Sequence, residues 1–195
     1  MSGGWYSYQV SDLSILAVRR FRRGEYDRLV DLGLFQDERI ELIDGLLVEM
    51  SPQGARHAYA VRQLTMLFAR AVGERALVQI QSPLALGDDS EPEPDVALVP
   101  PGDYSRAHPS HAFLVVEVAD DSLRKDRLVK ARLYARAGIP EYWIVNLPQR
   151  TVEVHRGAGA DGYSSVSTHG ADQTVSPEAF ADLEIQISAI IPATT

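Results

Sequence analysis

Two short segments constrain the fold of this chain more than any others. Residues 95–99 (DVALV) and 113–118 (FLVVEV) are almost unbroken apolar runs rich in β-branched residues. Strands that are apolar on both faces need cover on both faces, so they predict a central sheet with helices packed against it. Residues 57–75 supply one such helix. Its apolar residues Ala60, Val61, Leu64, Leu67, Phe68, Ala71 and Val72 form one stripe at helical period. A second helix is expected from a cap at Asp121 or Ser122 to about Ala137, with Gly138 and Pro140 ending it.

The remaining elements follow from local signals. Residues 24–32 read as a short helix closed by Gly33, and 51–56 as loop. In RIELIDGLLVEM, Asp44-Gly45 sits between two apolar runs and predicts a tight hairpin. Residues 76–81 (ALVQIQ) and EYWIVN read as further strands, and TVEVHR should pair with the latter across LPQR. From Gly157 the chain is rich in Gly, Ser and Ala, and 183–191 reads as a peripheral strand or edge. Strands separated by helices imply an α/β or α+β fold with a mixed sheet. The expected organisation is an N-terminal extension over 1–23 and a single domain over 24–195.

Composition narrows the function classes. The apolar fraction of 45% and charged fraction of 24% belong to an ordinary globular protein. No stretch approaches the roughly 18 to 20 apolar residues of a membrane span. The first residues place their charges after a short apolar stretch, the reverse of a secretion signal. With no cysteine, disulfides and thiolate metal sites are excluded, and the cytoplasm is the expected location. A net charge of −8 argues against non-specific nucleic-acid binding. A nuclease remains open, because metal ions supply positive charge locally. The one dense basic run, Arg19 to Arg23, reads as a solvated helix face before it reads as a DNA contact.

Asp95 opens one of the two apolar strands behind Pro92-Glu93-Pro94, and Glu117 lies inside the other. A carboxylate in so apolar a run is unfavourable unless it is paired or ligates a metal. Two carboxylates with waters suit a hard ion such as Mg²⁺ or Mn²⁺. The competing reading is a strand cap at Asp95 and an arginine partner for Glu117. The chain uses 17 arginines against two lysines, so each lysine is informative. Lys130 follows Asp126 by four residues, with Tyr134 a turn further on, and a compact ammonium suits a tight phosphate site. Lys125, five residues from Lys130, is expected to point elsewhere into solvent.

These elements together, ELIDGLLVEMSP, His57, PEPDVALV, FLVVEVA, D-x-x-x-K-x-x-x-Y and AGIPEYWIV, resemble the Uma family of endonucleases in the restriction-endonuclease-like, PD-(D/E)XK superfamily. The resemblance spans about residues 24–156. It implies a mixed sheet flanked by helices, Mg²⁺-dependent (or Mn²⁺-dependent) phosphodiester hydrolysis, and Asp95 and Glu117 as the acids. It also implies Glu41 as a further acid of the metal shell, directly or through water, the alternative being a strand-edge charge paired with Arg39 or a neighbour. The superfamily's lysine belongs two residues after the Glu, where this chain has Ala119, and the resemblance points to Lys130 as the substitute. Asp126 would steer Lys130. His57 is either near the site or a structural residue, while Tyr134 and Trp143 are expected in the core or the site wall. The implied partners are nucleic acid, DNA first, and a second copy of the chain as homodimer. The alternatives are an inactive nuclease-fold module that binds nucleic acid or protein, and a phosphoesterase of small substrates.

Overall fold

The computed structural model describes residues 18–193. Most of the expected 1–23 extension therefore lies outside the described residues. The first described element is helix α1 (Arg23–Asp31), and Gly33 follows it at φ +73°. Strands β1 (Ile40–Ile43) and β2 (Leu46–Glu49) form the expected antiparallel hairpin as a sheet of their own. Asp44 and Gly45 stand at φ +49° and +75°, the two left-handed positions that a type I′ turn requires. Helix α2 (Ala55–Val72) begins two residues earlier than the sequence pattern suggests and buries Ala60, Val61, Leu64, Phe68 and Val72.

The main sheet has six strands in chain order: β3 (Leu77–Ile80), β4 (Val96–Val99), β5 (Leu114–Ala119), β6 (Glu141–Asn146), β7 (Thr151–Gly159) and β8 (Gly162–Gly170). Only β5 and β6 are parallel. Their connection is a helical run, α3, made of an α-helical turn Leu123–Lys125, a π-helical stretch Asp126–Lys130 and an α-helical end Ala131–Arg136. The π character is explicit in the Ala131 N–H, which bonds the Asp126 carbonyl five residues back.

Alternation along the central strands divides the core in two. Val96, Leu98, Leu114, Val116, Val118, Trp143 and Val145 face α2 and the C-terminal segment. Ala97, Val99, Val115, Ala119, Tyr142 and Ile144 face α3. Both faces are covered, as the unbroken apolar runs require. Each fully buried Val, Leu or Phe contributes about 1.5–3 kcal/mol of transfer free energy.

The C-terminal part departs from the sequence expectation. The Gly- and Ser-rich stretch is the long antiparallel edge strand β8, most of whose residues are exposed, so no apolar alternation marks it. Residues 183–191 are not peripheral. They contain β10 (Ile185–Gln186), paired with β9 (Thr174–Val175), and the one-turn helix α4 (Ile187–Ile190), whose Ile187 and Ile190 enter the core with Ile185.

Candidate active site

The register of β4 against β5 pairs Val96 with Val116. Asp95, one residue before β4, therefore stands opposite Glu117, and the period of two turns both carboxylates to the α3 face. The link between them is direct: the Val118 N–H donates to Asp95 Oδ2 at 2.8 Å. His57, in the first turn of α2, holds the same oxygen through Nε2 at 2.9 Å. The sequence leaves His57 between two roles, and the fold puts it on Asp95.

Lys130 reaches this face from the π-helical stretch. Its ammonium donates to Glu117 Oε1 at 2.9 Å and to Glu41 Oε2 at 2.6 Å, and its side chain is only 2% exposed. Tyr134, one turn beyond Lys130 in the α-helical end of α3, donates its hydroxyl to Glu117 Oε1 at 2.8 Å. Glu117 thus pairs with a lysine and a tyrosine rather than with an arginine. Burial pushes the Glu117 carboxyl up, with the Lys130 ammonium opposing. Burial also works against the Lys130 ammonium, but Glu117 and Glu41 together hold its pKa above the ordinary lysine range. Tyr134 is raised as well, first by burial and then by the Glu117 charge.

Glu41 comes from the separate hairpin and is fully buried. Its Oε2 accepts from Lys130 and, at 3.3 Å, from the Glu93 N–H; its Oε1 faces Lys125 Nζ at 3.3 Å. It is not a strand-edge charge paired with Arg39, which lies 4.0 Å from Glu93 instead.

Two sequence expectations change here. Lys125 does not point away into solvent. Residues five apart share a face where the helix has π winding, so Lys125 and Lys130 converge on one carboxylate. Asp126 does not steer Lys130 through an i,i+4 contact. Its Oδ2 accepts from the Ser122 hydroxyl at 2.6 Å, and among the described residues it makes no bond to Lys130. Asp126 is nonetheless buried, and that burial raises its carboxyl above the usual range despite the Ser122 bond.

Gln81 carries no mark in the sequence pattern, yet its Nε2 lies 3.4 Å from Asp95 Oδ1. It also stands at φ +45°, in the left-handed region that non-glycine residues seldom occupy. A polar residue ending an apolar run is too common a signal to single it out. Trp143 is core: fully buried against Phe68, with its indole N–H on Glu141.

Asp95, Glu117, Lys130 and His57 line an open cleft of about 380 Å³ that also contains Lys125, Asp126 and Glu93. Two carboxylate oxygens face it without a strong partner. Asp95 Oδ1 has only the long Gln81 contact, and Glu117 Oε2 accepts no hydrogen bond among the described residues. That donor set fits one hard divalent ion completed by water and substrate oxygens. Among the described residues no group of three or more His, Cys, Asp or Glu side chains is disposed to hold a metal, and both oxygens of Glu41 face lysines.

The protein is thus of the α/β class, a mixed sheet flanked by helices, with two acids on adjacent strands and a buried ammonium bonded to Glu117 and Glu41. A solved structure agrees on the fold: a protein of Anabaena variabilis ATCC 29413, described as a putative nuclease belonging to DUF820, superposes with a TM-score of 0.66 at 16% identity, over 77% of this chain and 88% of that one. The chain belongs to the Uma2 family, described as "Putative restriction endonuclease", whose model matches residues 23–188. No curated protein matches the chain. Among the described residues no helix is long and apolar enough to cross a membrane.

Proposed function

We propose that this protein is a divalent-metal-dependent endonuclease that hydrolyses phosphodiester bonds of nucleic acid, DNA in the first place. The observation that carries the reading is the Lys130 ammonium 2.9 Å from Glu117, directly across from Asp95 in one open cleft. Asp95 and Glu117 would hold Mg²⁺ or Mn²⁺ through Asp95 Oδ1 and Glu117 Oε2. The ion supplies charge neutralisation at the phosphate and an acidified water as nucleophile.

The chain's own residues do the rest. Lys130, fixed by two carboxylates, presents a preorganised positive charge where the phosphorane gathers negative charge, which lowers the barrier without reorganisation. Tyr134 and Glu41 keep that ammonium and Glu117 in place. His57 and the Val118 N–H fix the Asp95 carboxylate so that Oδ1 stays turned to the cleft. Lys130 thereby takes the part that Ala119 leaves open. One site per chain cuts one strand at a time, so duplex cleavage would use two copies, and a homodimer is the simplest such arrangement.

The test is a Mg²⁺ and Mn²⁺ titration on supercoiled plasmid, linear duplex and RNA, comparing the wild type with Asp95→Asn, Glu117→Gln and Lys130→Met. The wild type should nick DNA only with metal present, and each variant should lose at least about 100-fold, the scale of removing one preorganised stabilising group. Equal rates for wild type and Asp95→Asn would remove the assignment.

A further inference from the structure

Lys125 has no task in the mechanism above, yet the fold brings it to the same carboxylate as Lys130. The two ammonium groups are held very differently. Lys130 is bonded to two carboxylates at once and is only 2% exposed where it lines the cleft. Among the described residues Lys125 has a single polar side-chain contact, at 3.3 Å to Glu41 Oε1, and a third of its side chain is exposed in the cleft. That distance is longer than the 2.7–2.9 Å of a strong charge-assisted bond. If Lys125 leaves, Glu41 Oε1 loses that contact, while Lys130 and the Glu93 N–H stay on the other oxygen of the same carboxylate.

Arg39 also lines the cleft, but it stands 4.0 Å from Glu93 and shares no carboxylate with Lys130, as Lys125 does. Arg56 bonds Asp120 and the Leu147 carbonyl. The cleft wall otherwise carries Glu93, Asp120, Asp121 and Asp126, a poor surface for a polyanion. A phosphate bound next to Lys130 lies one carboxylate's width from Lys125, whose four-carbon stem lets the ammonium swing off Glu41.

We propose that Lys125 is a substrate-binding residue: its ammonium leaves Glu41 and pairs with the non-bridging oxygens of a DNA phosphate adjacent to the scissile one. The proposal rests on the nuclease reading. The π-helical turn is the device behind it, since it sets residues five apart on one face and delivers a fixed ammonium for chemistry and a mobile one for binding.

The experiment measures anisotropy of a labelled duplex oligonucleotide in Ca²⁺ across 50–200 mM salt, for wild type, Lys125→Gln and Lys125→Arg, alongside steady-state cleavage in Mg²⁺. One lost phosphate contact lowers the slope of log K against log salt by about 0.9. Lys125→Gln should show that loss, a Kd raised about 3- to 10-fold and a kcat within about threefold of wild type, on the scale of one phosphate contact. Lys125→Arg should keep the slope. A merely structural lysine would move the melting temperature and leave the slope alone. Wild-type cleavage that Asp95→Asn abolishes, with Kd and slope unchanged in Lys125→Gln, overturns the Lys125 assignment alone. A wild type that neither binds nor cleaves the oligonucleotide overturns the nuclease reading and this proposal with it.

Discussion

Replacing Lys130 by Met keeps the aliphatic stem and removes only the ammonium. An exposed i,i+4 lysine pair is worth about 0.3–0.5 kcal/mol. Lys130 is in the opposite regime, almost fully buried with a carboxylate oxygen within 3 Å on either side. Removing one member of a buried ionic cluster leaves its partners uncompensated and costs about 3–5 kcal/mol. That is a large part of the roughly 5–15 kcal/mol by which a domain is stable.

The penalty should also depend on pH. Burial already raises Glu117, and removing Lys130 takes away the charge that opposes that rise, leaving only the Tyr134 hydroxyl on the carboxylate. A carboxyl whose folded pKa lies above its unfolded value binds more protons when folded. Glu117 already sits at about 8 in the wild type, so the variant loses stability relative to it as pH rises through that value and beyond. Each unit of added shift is about 1.4 kcal/mol, so the deficit should be larger by about that much at about pH 10 than at about pH 7. Urea unfolding followed by tryptophan fluorescence measures it, because Trp143 is fully buried. Adding Glu41→Gln to Lys130→Met should recover about 1–2 kcal/mol by removing one stranded charge. A deficit under about 1 kcal/mol that does not change with pH would refute the account of a dry ionic cluster.

Other predictions concern groups outside the site. Burial and the nearby Asp27 push Glu91 up to about 7 despite Arg23, so the folded state loses stability as pH rises from about 4.5 to 7; Glu91→Gln should gain about 1–2 kcal/mol at pH 8 and nothing at pH 4 in urea unfolding. Glu153 goes the other way: burial would raise it, but His155 and Arg127 hold it down at about 2, so its contribution is present above about pH 4.5 and lost as pH falls toward 2. Glu153→Gln should therefore destabilise at pH 7 and flatten the acid limb of the stability curve. At Gly45 a Cβ would meet Arg20 Cβ at 2.5 Å and the Phe21 carbonyl at 2.9 Å, on a backbone at φ +75°. Gly45→Ala should cost about 1–2 kcal/mol in thermal unfolding, and no loss would mean that the hairpin turn can change type.

What the sequence discloses depends on whether a feature obeys a simple period. The buried central strands, the α2 stripe and the Asp44-Gly45 turn are each written in local spacing, so the sheet and the hairpin are legible. Asp95 and Glu117 are legible for the same reason, since charges inside apolar strands stand out. β8 is illegible because an exposed edge strand has no apolar face to alternate. Lys125 is misread because side-chain spacing assumes α winding, and no residue from 123 to 136 announces a π turn. His57, Gln81 and the Glu41–Lys130 bond need distances between residues 14 to 89 positions apart, which only the folded chain supplies.

The Lys130 ammonium joins two sheets that share no ladder, the hairpin through Glu41 and the main sheet through Glu117. This gives the site an uneven evolutionary memory. A descendant released from catalysis could not discard that lysine alone, because two buried acids would be stranded, so the trio would persist as a fastener long after activity was gone. Asp95 has no such protection: an amide there could still accept from Val118 and meet His57. Under the nuclease reading proposed above, the acid opposite Glu117 is the position whose loss would separate retired copies from working ones.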